Sequence, residues 1–199
     1  MIPALTMQPP RPTEQPESLG ALIASAAKGD EQAWVDLVGL YAKRVFAMAR
    51  SRLHDEELAE EITQSVFVTV ATKLNGNEGY AEMGRFEPWL FRITMNRVRD
   101  MCRKRTRHAS PTAPEHFARL EGTDDESLEE RDSQAGQIGR LRSVLEQLSE
   151  RDREIIELRH HGQLSFKQIA ELLDQPVGTL LARHHRALRK MRTLIEEAS

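Results

Sequence analysis

Cysteine is almost missing from this chain: Cys102 is the one thiol in 199 residues. No internal disulfide can form, and the usage fits a reducing compartment. Aromatic residues are scarce at 5%, against 30% charged residues, a balance that suits small helical bundles better than one large core. No apolar run approaches the roughly 18 residues needed to cross a bilayer, and the N-terminus lacks the charged-then-apolar pattern of a secretory signal. The cytoplasm is the expected compartment. A large excess of one charge is absent too, since the formal net charge is only −3, which argues against a simple coat for nucleic acid. No phosphate-cradling glycine loop and no nucleophile–base constellation is visible. An enzyme is not expected, and no cofactor is implied.

What the chain does have is helical periodicity and an uneven distribution of charge. Residues 1–17 hold Pro3, Pro9, Pro10, Pro12 and Pro16 and few apolar residues, the composition of a disordered leader. From Leu19 onward the pattern is helical. Trp34, Leu37, Val38, Tyr41 and Val45 share one helix face, and Ile62, Val66, Val70 and Leu74 form the next stripe behind the acidic run Asp55-Glu56-Glu57. Asn75-Gly76-Asn77-Glu78-Gly79 breaks the pattern as a loop. Pro88 then suits the first turn of a helix whose buried side is Phe86, Trp89, Leu90, Ile93, Val98 and Met101. No segment alternates like a strand, so the expected fold is all-α.

The other side of that helix is cationic. Arg92, Asn96 and Arg99 fall on one solvent-facing stripe with Arg103, and Arg97, Lys104, Arg105 and Arg107 bring the Lys/Arg between 92 and 107 to seven, against Asp100 alone. A basic last turn complements the helix dipole. Seven cations exceed that need, and like charges at i, i+4 repel by a few tenths of a kcal/mol. A polyanion would relieve the repulsion. Trp89 lies on the apolar side, where a core role outweighs stacking on an unpaired base.

Residues 108–136 reverse the sign, with Glu115, Glu121, Asp124, Asp125, Glu126, Glu129, Glu130 and Asp132 facing Arg119 and Arg131. Together with Pro111, Pro114 and Gly122 this reads as a flexible, self-repelling linker. As a coil it spans about 30 Å and fully stretched about 100 Å. Sites two turns of DNA apart lie roughly 70 Å away, so bridging them requires the tether to be held extended.

Residues 137–199 form a second helical domain with a sharper pattern. Ser149 caps a helix with Asp152 three residues on, and Gly162 is expected to stop it. Ser165-Phe166-Lys167-Gln168 is a capping box for a short helix with Ile169, Ala170, Leu172 and Leu173 inside. Asp174-Gln175 makes a turn that tolerates left-handed angles. Pro176 opens a second helix carrying Arg183, Arg186, Arg189, Lys190 and Arg192, with no acid before Glu196. This is a helix-turn-helix pattern, which places its second helix in the major groove. Thr179 and the first-turn N–H groups suit phosphate, and Arg183 and Arg186 have the reach for guanine edges. The pairs His160-His161 and His184-His185 are adjacent in sequence, point about 100° apart on a helix, and are not expected to hold a metal.

These motifs resemble those of bacterial RNA polymerase sigma factors. Leu148-Ser149-Glu150-Arg151, Arg153-Glu154, Leu164-Ser165-Phe166, Ile169-Ala170-Glu171 and Pro176-Val177-Gly178-Thr179 are similar to region 4 of that family. Residues 59–67 (AEEITQSVF) resemble the region 2.2 helix, and residues 86–100 (FEPWLFRITMNRVRD) resemble regions 2.3 and 2.4. The likeness covers about 19–107 and 137–193. With only a tether between the two regions, the chain is similar to the extracytoplasmic-function (ECF) class of the sigma-70 family.

The resemblance implies a region 2 domain over 18–107, the acidic linker over 108–136 and a region 4 domain over 137–199, acting as a promoter-specificity subunit without catalysis of its own. Glu60, Glu61 and Gln64 would face the clamp helices of the polymerase β′ subunit, and the β flap would be a further contact. The 75–85 loop with Arg92, Asn96, Arg97, Arg99, Arg103 and Lys104 would hold the melted −10 strand. Lys167, Thr179, Arg183, His184, Arg186 and Lys190 would serve the duplex −35 element, and the linker would thread the polymerase channel. An anti-sigma factor is a further partner class. The chain departs from the family pattern at Leu181-Ala182, where relatives often carry a basic residue and Ser, at His184 and His185, at Ser65 in place of an acid, and at Asp174 in place of Gly. Two other readings of the same residues are a stand-alone helix-turn-helix regulator and a sigma-like protein that competes for polymerase without initiating.

Overall fold

A computed structural model describes residues 19–75, 85–108 and 139–197 of the chain. The leader, most of the 75–85 loop and nearly all of the acidic linker lie outside these residues. The described residues form helices α1 (Leu19–Ala27), α2 (Glu31–Leu53), α3 (Glu56–Asn75) and α4 (Phe86–His108), then α5 (described over 139–146), α6 (Glu150–His160), α7 (Phe166–Leu173) and α8 (Val177–Glu197). There is no strand among them.

The N-terminal bundle is α1–α4, and its stripes follow the sequence. Leu37, Tyr41 and Val45 of α2 are buried, as are Ile62, Val66, Val70 and Leu74 of α3 and Phe86, Leu90 and Val98 of α4. Trp34, Val38, Trp89, Ile93 and Met101 pack half-buried against them. Trp89 is therefore part of the core, its ring 5.7 Å from that of Phe86. Asp30 starts α2 by accepting from the Ala33 N–H, and Asp55 starts α3 by accepting from the Leu58 N–H, each at 3.0 Å. His54 closes α2 in the left-handed conformation, its N–H bonded to the Arg50 carbonyl.

The C-terminal unit is α5–α8. Ser149 accepts from the Asp152 N–H at the start of α6. Ser165 and Gln168 complete a reciprocal capping box on α7, and Asp174 ends α7 at φ 53°. Helix α6 ends differently from the sequence expectation. Gly162 donates back to the Glu157 carbonyl at 2.9 Å, but the left-handed residue is Gln163, φ 51°. Gly162 is needed for room instead: a Cβ there would lie 2.6 Å from the Leu158 carbonyl oxygen and 3.2 Å from the Met48 side chain.

That contact with Met48 belongs to a larger feature, for the two units share one core. Ile155, Leu158, Leu164, Ile169, Leu172 and Leu180 join the same buried cluster as Met48, Leu90, Phe91 and Met95. Helix α7 lies on α4, and α6 touches α2. A smaller cluster of Val144, Leu148, Ile156, Ala187 and Met191 closes the C-terminal unit on its far side. Burying side chains of this size is worth about 1.5–3 kcal/mol each.

Candidate nucleic-acid interface

Helix α4 divides its faces as its 3.6-residue period requires. With Phe86, Leu90, Phe91, Met95 and Val98 turned inward, Arg92, Asn96, Arg97, Arg103 and Lys104 are exposed and Arg99 is half-buried. The stripe is not empty. Arg92 donates to the carbonyls of Glu171 (3.3 Å) and Leu172 (3.1 Å), the last turn of α7. Arg99 donates to Asn96 at 3.3 Å and pairs with Glu154 of α6 at 3.1 Å. Arg97 turns the other way, to the Thr69 hydroxyl of α3 at 3.1 Å. Arg85, just before α4, pairs with Glu171. Burial raises the Glu154 carboxyl above its ordinary value, and the Arg99 guanidinium only partly offsets this.

Beside the stripe lies a network that fixes α6 to the N-terminal bundle. Glu157 is fully buried, accepting from Arg52 of α2 and, at 2.9 Å, from Arg153 of its own helix. Arg153 also donates to the Ser51 carbonyl at 2.8 Å, and Arg52 reaches Glu150 at 2.5 Å. Burial alone would pull the Arg52 guanidinium down, but Glu157 and Glu150 hold it above its usual value. Further along, Arg44 donates to the Gly162 carbonyl and pairs with Glu87 at 2.7 Å, while Gln168 donates to the other oxygen of Glu87. Apart from Arg153 and Glu157, which are four residues apart on one helix, nothing in the sequence pattern marks these groups as partners, because the other pairs join residues 43 to 118 positions apart.

Helix α8 presents the second cationic surface. Arg186, Arg189 and Lys190 are exposed, as are Thr179 at its start and Lys167 on α7. Lys190 donates to the Gln147 carbonyl at 2.7 Å. Arg183 is drawn inward, contacting Asp152 and Gln175 at 3.3 Å each. His184 also faces its neighbours: its Nε2 is 3.4 Å from that of His160, and its ring meets the Phe166 ring edge-on at 5.1 Å. Burial, then His160, lowers its affinity for a proton. Folding thus pairs histidines from α6 and α8 rather than adjacent ones. Among the described residues no group of three or more His, Cys, Asp or Glu is placed to hold a metal ion. Leu181 stands 46% exposed on the same helix, an apolar side chain on the cationic surface.

On α3, Glu60, Glu61 and Gln64 are exposed, on the side turned away from Ile62, Val66 and Val70. Val68, one turn beyond Gln64, is 66% exposed and extends that face with an apolar residue the sequence pattern did not single out. No described helix is long and apolar enough to cross a membrane.

Comparison with known proteins agrees with this arrangement. The family model "Sigma-70 region 2" matches residues 37–108, and "Sigma-70, region 4" matches residues 138–191. The chain is 31% identical over 186 residues to the ECF RNA polymerase sigma factor ShbA of Streptomyces griseus subsp. griseus, covering 90% of this chain and 96% of that protein. CnrH, solved in complex with the cytosolic domain of CnrY, superposes with a TM-score of 0.69 at 25% identity, over 92% of this chain and 100% of that one. RpoE of Bartonella quintana, solved with the anti-sigma factor NepR, superposes with a TM-score of 0.57 at 23% identity, over 81% of this chain and 95% of that one, a likeness of fold. Two helical units, each with a cationic helix and each matching its own sigma region in the family's order, make this chain a member of the ECF RNA polymerase sigma factors.

Proposed function

We propose that this sigma factor docks on core RNA polymerase through the outer face of α3 and reads a promoter at two places, with α4 on the melted −10 strand and α8 on the duplex −35 element. The observation that carries this reading is the pairing of two cationic helices on separate units within a chain whose net charge is slightly negative. Glu60, Glu61, Gln64 and Val68 form the polymerase-facing surface, and the β flap is the partner for region 4. Arg92, Asn96, Arg97, Arg99, Arg103 and Lys104 supply the strand-holding surface. On α8, exposed Arg186 carries base or phosphate contact, with Thr179, Lys190 and Lys167 of α7 flanking it. Arg183 and His184 contribute by fixing α8 on α6 and α7, since both side chains are engaged there. Promoter reading and start-site opening need no chemistry by the chain itself; bond formation belongs to the polymerase. That partner places the protein in the cytoplasm. An anti-sigma factor is a further partner, supported by the co-crystal of RpoE with NepR.

Run-off transcription from a randomised promoter library with purified core tests the reading. Transcripts are expected only with both components present. Tight duplex binding without core, and no transcription with it, would instead identify a stand-alone regulator. Arg186→Ala is expected to weaken promoter binding by the holoenzyme. If the contact is to phosphate, the log–log salt slope falls by about 0.9; if to a base, affinity drops by about 1–3 kcal/mol and specificity relaxes at that position.

A further inference from the structure

We infer that the crevice between α2, α4 and α6 is a binding site for a small phosphorylated nucleotide, a nucleoside di- or triphosphate. It encloses about 530 Å³. That is more than a bare pyrophosphate fills, and within the roughly 300–1,000 Å³ of sites that hold small organic ligands. Its lining carries five guanidiniums, Arg52 of α2, Arg99, Arg103 and Arg107 of α4 and Arg153 of α6, against one carboxylate, Glu150. Guanidiniums are planar forks that grip phosphate oxygens two at a time. Glu154 holds Arg99, and the buried Glu157 holds Arg52 and Arg153. Those three forks are thus already ordered, and a guest loses less freedom by engaging them. Arg103 and Arg107 are exposed, and Arg103 has Asp100 only at 4.0 Å.

Arg52 gives an independent sign of a guest. Its side chain is only 8% exposed, with Nε bonded to Glu157 and Nη1 to Glu150. Its Nη2 is buried and has no hydrogen-bond partner among the described residues. Buried polar groups nearly always find a partner, so a charged donor lining a crevice without an acceptor marks where an anionic oxygen fits. Glu150 stands in for part of that guest. It is 67% exposed, so its carboxylate can turn into water and yield Arg52 to a phosphate. The other side of the lining suits a base. Met95, Val98 and Cys102 offer an apolar surface with two sulfur atoms, and sulfur packs favourably against aromatic rings.

The test is calorimetric titration of the full-length protein, without polymerase or magnesium, using ATP, tripolyphosphate and adenosine as probes. A single ATP is expected per chain, bound several-fold tighter than tripolyphosphate, with adenosine alone undetected. Arg103→Ala with Arg107→Ala alters two exposed side chains. It should weaken ATP binding at least about tenfold, the worth of one charge-assisted hydrogen bond. Arg186→Ala with Arg189→Ala removes as much charge from α8, outside the crevice, and should leave the affinity unchanged. Glu150→Gln should tighten binding, because it removes the carboxylate that competes for Arg52. A residue that merely braced the fold would not give that gain.

The inference is overturned if ATP does not bind the native chain, or if the α8 variant loses as much affinity as the α4 variant. It is equally overturned if Glu150→Gln weakens binding. Should tripolyphosphate bind as tightly as ATP, the crevice holds phosphate without reading a nucleotide, and the inference fails in that form too. None of these outcomes bears on promoter reading, which run-off transcription with core tests separately.

Discussion

Glu157 shows how much one residue decides in this chain. Its carboxylate is wholly buried and lies between two guanidiniums, Arg153 from its own helix and Arg52 from the opposite unit. Replacing both members of a buried ion pair by apolar groups is often neutral, whereas removing one leaves a charge without its counter-charge and costs about 3–5 kcal/mol. Arg52→Ala is therefore expected to lower unfolding stability by that order, less whatever Arg153 recovers, measured by chemical denaturation. A loss below about 1 kcal/mol, the worth of a solvent-exposed pair, would mean that Glu157 is solvated and the seam open. Gly162 is decisive for a different reason. A methyl group there meets the Leu158 carbonyl oxygen at 2.6 Å and must push on Met48. Gly162→Ala is expected to destabilise by about 1–3 kcal/mol through overpacking, seen as a lower denaturation midpoint.

Individual elements were largely legible in the sequence, because their determinants are local. The stripes Ile62–Val66–Val70–Leu74 and Leu37–Tyr41–Val45 need only helical spacing, and all seven are buried. The caps at Ser149 and Ser165 and the left-handed turn at Asp174 follow from side-chain chemistry within three residues. Ser165→Ala removes the acceptor for the Gln168 N–H on a helix of only eight residues. It should cost about 1 kcal/mol, and hydrogen exchange should rise first in α7, which has few backbone bonds to lose before it frays. Protection that stays unchanged in α7 would mean that packing on α4 alone holds the helix. The stop of α6 was harder to read. Glycine at 162 suggested the stop, but the left-handed conformation falls on Gln163, and Gly162 is demanded by the backbone of Leu158 one turn back and by Met48 from the other unit. The inward turn of Arg183 and His184 was hidden for the same reason: their partners Asp152 and His160 come from a different helix.

At the scale of the whole molecule, the sequence shows two units and a tether but not their embrace. Arg52 and Glu157 are 105 positions apart and Arg44 and Gly162 are 118 apart, distances at which no spacing rule operates. The assembled molecule should also respond to acid. Burial is the chief cause that holds His54, His161 and His184 below the ordinary histidine value of 6.5, with neighbouring Arg142 and Arg153 adding to it at His54 and the His160 ring at the other two. In the unfolded chain these imidazoles take up protons near 6.5, while in the folded chain they resist until lower pH. The unfolded state therefore binds more protons below that value. The stability they confer is fully present above about pH 6.5 and is lost as the pH falls toward their folded values. Glu154, raised by burial, works in the opposite sense but further into acid: it favours the folded form most below the ordinary value of 4.5 and yields that as the pH rises. The thermal midpoint should be lower at about pH 5.5 than at about pH 7.5, the direction set by the histidines. Equal midpoints at the two values would show that these imidazoles are solvated.

The lone sulfur atom gives that embrace a practical consequence. Cys102 lies in the crevice lined by Met95, Val98, Arg99, Glu150 and Arg153, and burial pushes its thiol up. Electrophiles such as maleimides react with thiolate, so a shielded thiol of high pKa is slow to alkylate. The unaltered polypeptide thus carries its own chemical clock: a maleimide should consume this half-buried side chain more slowly in the assembled chain than after denaturant has parted the crevice walls.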